Sequence, residues 1–191
     1  MTTSKTKLFL ASLLLIFVGS CDFTGERPGK IFNTIALNAN KIPRSFEYQF
    51  RDMMIRKEDN SLIVVDPQTN EMKKASCVEY VAFHYAIMFN SDLDNIKKLK
   101  ATDETQPIID AGLELFTFAD EIYKNDFPRI AKMIDEGMPE EEIKAAVEEL
   151  DNTKGIELDE KYGEMMDLMI PYADKHGVKY EFVDMGGKSR D

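Results

Sequence analysis

Residues 76–90 constrain the fold more than any other stretch. Val78, Val81, Ala82, Tyr85, Met88 and Phe89 recur at helical spacing, and Tyr80, Phe83 and Ile87 take up other sides of the same helix. A helix that is apolar nearly all round has to be buried. The rest of the chain must then wrap it, which predicts a bundle with this helix at its centre.

The flanking segments carry one-sided apolar stripes suited to that task. Ile31, Ile35, Ala39 and Ile42 lie one turn apart until Pro43 interrupts. Ser45 can cap a second helix through Arg56, with Phe46, Phe50, Met53 and Met54 on one side and Asn60 at its end. After Asn90 the chain turns polar up to Gln106, as a short helix leading into a loop. Pro107 starts a longer helix with Ile108, Gly112, Leu115, Phe116, Ala119, Ile122 and Tyr123 inward. Asp110, Glu114, Thr117 and Glu121 mark its wet face.

Asp126 and Pro128 open a short helix that Gly137 closes, with Ile130 and Ile134 inward. Pro139 opens the next. Glu140, Glu141 and Glu142 fill its first turn, where the helix dipole favours anions, and Ile143, Ala146, Val147 and Leu150 form its stripe. Residues 151–155 read as a turn, and Asp159 as the cap of a last helix. Its stripe is Tyr162, Met165, Met166, Met169, Tyr172 and Ala173; Pro171 lies inside it and Gly177 ends it.

Two places read as strand. Leu62, Ile63, Val64 and Val65 precede a turn-rich run from Asp66 to Asn70, and residues 71–74 can return as a partner. Residues 178–183 alternate, with Val178, Tyr180 and Phe182 on one face, and would join that hairpin. The expected fold is therefore mainly α: a bundle of about six helices, a small β-hairpin and a C-terminal strand, with a minor α+β character.

The N-terminus follows different rules. Lys5 and Lys7 precede an apolar run over residues 8–18, and small Gly19 and Ser20 follow. This is the grammar of a secretory signal peptide. The run is shorter than the roughly 20 residues a helical span needs. Val18, Gly19, Ser20 and Cys21 resemble the lipobox of bacterial lipoproteins. The resemblance implies cleavage between Ser20 and Cys21 and acylation of Cys21. It covers the first 21 residues and says nothing about the folded part.

The implied organisation is a signal peptide over 1–20, lipidated Cys21 with a tether to residue 30, one helical domain over 31–185 and a polar tail over 186–191. Thr24, Gly25, Pro28 and Gly29 give the tether its linker character. The implied location is the cell membrane or outer membrane of a bacterium, with the domain facing the periplasm or exterior. Asp22 follows a pattern that retains such proteins in the inner membrane of enterobacteria-like cells.

The whole chain has a net charge of −11. Loss of residues 1–20 would remove two lysines and no acid, and make it more negative. That excludes nucleic acid as a natural partner, because such affinity comes mostly from neutralising phosphates. It also suggests a domain that stands off anionic lipid within a screening length of about 8 Å.

Sites for chemistry are sparse. With Cys21 committed to lipid, Cys77 is the remaining cysteine and reads as a small buried hydrophobe. His84 reads as a packed core or rim residue, and His176 as a helix-end cation. Asp92, Asp94 and their neighbours begin like a calcium loop, but Lys97 stands where glycine is required; the run from Asp151 puts Gly155 one place early. Met165, Met166 and Met169 share a face that could hold Cu(I), though methionine stripes more often fill cores. The sequence contains no Gly-x-Ser-x-Gly, no phosphate-cradling loop and no His-Glu-x-x-His. The expectation is a non-catalytic, cofactor-free and metal-free lipoprotein that binds an envelope protein near the membrane. The alternative is a small-ligand binder with a Met-, Phe- and Tyr-lined pocket between helices.

Overall fold

A computed structural model describes residues 25–181. Its helices are α1 (Pro28–Phe32), α2 (Glu47–Glu58), α3 (Cys77–His84), α4 (Asn90–Lys97), α5 (Gln106–Glu121), α6 (Phe127–Asp135), α7 (Glu140–Leu150) and α8 (Ile156–Lys175). Strands β1 (Ile63–Val65) and β2 (Met72–Lys74) pair antiparallel, with Ile63 opposite Lys74 and Val65 opposite Met72. The fold is a mainly α bundle with a small two-stranded sheet, as the sequence patterning predicts. No helix among the described residues is long and apolar enough to cross a membrane.

Three π turns fuse these segments. Asn33–Leu37 extends α1, Ile122–Asp126 joins α5 to α6, and Asp151–Gly155 joins α7 to α8. The sequence reading breaks the chain at Asp126, at residues 151–155 and at Asp159; the structure corrects all three. The reason lies in the stripe. Ala119, Tyr123, Phe127 and Ala131 are all buried at spacings of four. Three such steps overrun the 3.6-residue period by about one residue. A wider π turn absorbs the surplus and keeps the same face inward. Periodicity alone cannot tell that slip from a helix boundary.

The two fused helices, 106–135 and 140–175, form an antiparallel pair. α5 packs on α8, α6 on α7, and Gly137 at φ +70° makes the turn between them. At about 1.5 Å per residue, the first of them spans about 45 Å. One end of the molecule therefore carries the start of α5 and the end of α8. The far end carries the end of α6.

The centre of the core is not residues 76–90. α3 is short, and only Cys77 and Val81 of it are buried. The chain turns away at residues 85–89, leaving Phe83 38% and Ile87 60% exposed. The core centres instead on the long α5–α6 helix. Tyr123 and Phe127 lie 4.2 Å apart by ring centroid, with Phe46 just before α2, Phe50 from α2, and Phe89 packed around them. All these side chains are fully buried or nearly so.

α1 crosses this pair near the first end. Gly112 permits the crossing: a Cβ there would sit 2.7 Å from Ile35 Cγ2. Helix begins at Pro28, inside the stretch that reads as tether. Ahead of it, the Glu26 N–H donates to the Lys100 carbonyl at 3.3 Å.

Residues 178–181 form no strand, and the rest of that expected strand lies outside the described residues. The Tyr180 ring stacks on Phe32 at 5.4 Å and its hydroxyl donates to Asp174 at 2.9 Å. The hairpin is thus two strands.

Candidate functional site

The far end of the bundle holds a groove between the second half of α2, the hairpin and α3. Arg56, Ser61, Ile63, Val65, Met72, Tyr80, Phe83 and His84 line it, around a volume of about 390 Å³. Local sequence explains each wall. Asp66 Oδ1 accepts from the N–H of Gln68 and Thr69, and Asn70 takes φ +57°, so the hairpin turns tightly. Val64 points inward and Ile63 outward, by strand alternation. Ser76 and Glu79 form a reciprocal capping box that starts α3.

From that start, Tyr80, Phe83 and His84 share one helical face. His84 lies 4.4 Å from the Tyr80 ring and 4.8 Å from the Phe83 ring, and its Nε2 is 3.5 Å from the Ile63 carbonyl. Met72 is 79% exposed at the rim, with Ile63 beside it at 42%. Arg56 supplies the charge in the wall. The hydrogen bond to Asp52 at 2.6 Å holds its pKa above the ordinary guanidinium value. The surface is therefore apolar and aromatic, with a single compensated cation.

The residues singled out in the sequence fall elsewhere. Ser20 and Cys21 lie outside the described residues. Cys77 is fully buried, and burial pushes its thiol up to about 12. That shift favours the protonated thiol at neutral pH. Asp92 is buried against Lys41 Nζ at 2.8 Å. Asp151 spends both oxygens on Ser45 Oγ and the Phe46 N–H. His176 Nε2 faces Glu104 Oε2 at 3.1 Å. Met165 and Met169 are buried and Met166 half-buried, so they fill the core rather than offer a surface face. Among the described residues, no group of three His, Cys, Asp or Glu side chains is placed to hold a metal ion.

Sequence reasoning misses the groove because it puts Tyr80 and Phe83 on a buried helix and His84 in its core or rim. The i, i+3, i+4 aromatic spacing beside a hairpin was the available signal. The opposite end has its own feature, a shallow space lined by Gly25, Glu26, Arg27 and Lys100. Comparison of the chain with protein-family models, with curated proteins and with solved structures found no match.

Proposed function

We propose that the protein is a non-catalytic, lipid-anchored bacterial envelope lipoprotein whose helical domain binds another envelope protein. The observation that carries the anchor is the lipobox, Val18-Gly19-Ser20-Cys21. The groove supports the binding half. Met72, Ile63 and Phe83 of its lining are exposed to solvent, and clustered exposed apolar side chains mark contact surfaces. The groove sits about 40 Å from the end where the chain emerges at Gly25, by the length of the α5–α6 helix. A partner would thus be met on the side turned away from the anchor.

A photo-crosslinking residue in place of Met72, in cells, tests this. One dominant adduct is expected at position 72 and none at Lys144. Equal, diffuse labelling at both would remove the binding reading. Intact-mass measurement of the purified protein tests the anchor separately: the mature chain should begin at Cys21 and carry acyl chains.

A small-molecule ligand is the second reading. The groove volume of about 390 Å³ falls within the range of about 300–1,000 Å³ seen for ligand sites. Thermal-shift screening separates the two, because a ligand at about 100 times its dissociation constant adds about 2.7 kcal/mol.

A further inference from the structure

We propose that the end of the molecule where Gly25 emerges is a docking face for an anionic bilayer surface, built by Arg27, Lys97, Lys98 and Lys100. The proposal rests on the lipid anchor argued above. All four side chains are exposed. Arg27 and Lys100 line one shallow space, and the hydrogen bond from the Glu26 N–H to the Lys100 carbonyl holds the start of the described chain against the end of α4. Lys97 closes α4, Lys98 caps it and Lys100 follows.

None of the four forms an ion pair with another described residue, though the charge of Lys100 helps to lower the pKa of Glu26 beside it. The acids nearest to them are partly committed. Glu26 is held by Lys30 at 2.9 Å, and Glu104 by Lys175 at 2.6 Å and by His176. Asp94 and Asp103 stay as exposed acids beside the patch.

Charge is segregated along the long axis. Residues 25–30, 94–104 and 174–181 hold seven Lys or Arg and six acids, whereas the other described residues hold thirteen and twenty-six. Net charge argues for repulsion from lipid. Within a screening length of about 8 Å, however, only the nearest face is felt. That face is the balanced end, where four cations make no ion pair with a described residue, and most of the acids belong to the other described residues.

The anchor fixes which face is nearest. Cys21 precedes Gly25 by four residues, a reach of at most about 14 Å. An acyl chain combined with a basic patch is a two-part membrane signal. The domain would stand upright on the bilayer, with the groove outward.

The test uses the full-length protein, processed in bacteria and placed in lipid nanodiscs. Lysines are labelled with a water-soluble amine reagent and read by mass spectrometry. Labelling of Lys97, Lys98 and Lys100 should fall at least threefold in discs with phosphatidylglycerol relative to pure phosphatidylcholine. It should recover in about 1 M NaCl, where screening shortens to about 3 Å. Lys132 and Lys144 should not change. A K97Q/K98Q variant should lose the protection of Lys100. Equal labelling of acylated protein in the two discs, or protection of Lys100 that survives K97Q/K98Q, overturns the docking face alone. Absence of acyl mass on Cys21 overturns the anchor and the docking face together.

Discussion

Lys154 Nζ lies 2.6 Å from Asp126 Oδ2, tying the π turn of one long helix to the π turn of the other. The two bulges therefore sit at the same level of the bundle, and one ion pair spans them. Asp126 is largely buried and Lys154 more open. Lys154→Met should cost about 1 kcal/mol, since the Asp126 carboxylate loses a charge-assisted partner and part of the pair is screened by solvent. Urea denaturation of the single variants and of the Lys154→Met/Asp126→Asn double variant checks it. A coupling energy near zero would mean that the pair does not hold the turns together.

Asp135 starts α3 from another helix. Its oxygens accept from the Cys77 and Val78 N–H groups at 2.9 and 3.0 Å. Burial by itself would raise its pKa, but these bonds and nearby Lys57 bring it below the ordinary carboxylate value. A lowered pKa in the folded state gives stability that is present above the unfolded pKa near 4 and lost as pH falls through the folded value. Asp135→Asn should cost about 1–2 kcal/mol at pH 7 and flatten the acid limb of stability below about pH 4. Melting temperatures from pH 2 to 7 read both effects.

Asp151 plays the same part for α2, accepting from Ser45 Oγ at 2.7 Å and from the Phe46 N–H at 2.8 Å. Asp151→Ala should cost about 1–2 kcal/mol. Ser45→Ala should cost less, because the Phe46 N–H keeps its acceptor. A larger loss for Ser45→Ala, measured by chemical denaturation, would show that the local serine dominates the cap.

Cys77 should resist alkylation. Its thiol is fully buried and its pKa is pushed up to about 12, first by burial and then by Asp135 beside it. Iodoacetamide at pH 8 should modify it only at the rate at which the domain opens, and at once in denaturant. Fast labelling of the native protein would place the thiol at the surface.

How much of this was legible in the sequence depends on what each residue was asked to report. Ile108, Leu115 and Phe116 of α5, and Ile143, Val147 and Leu150 of α7, face the core where their spacing puts them. Asp66 and Asn70 announce the hairpin, and Gly137 ends its helix at φ +70°. Helix continuity was hidden, because a one-residue slip in the stripe imitates a break at Asp126 and again at Asp151. The groove was hidden for a different reason: Phe83 and Ile87 are apolar, and apolarity does not say whether a residue meets core or partner. Lys97, Lys98 and Lys100 are spelled out in the sequence, but only the fold brings Arg27 beside Lys100.

The caps of α2 and α3 carry a consequence for the order of events in synthesis. Asp151 serves a helix that begins about a hundred residues before it, and Asp135 one that begins nearly sixty before. A ribosome releases Phe46 and Cys77 long before either carboxylate exists. Until then the N–H groups of Phe46, Cys77 and Val78 wait for their acceptors, and α3 has only its own Ser76–Glu79 box to hold its start.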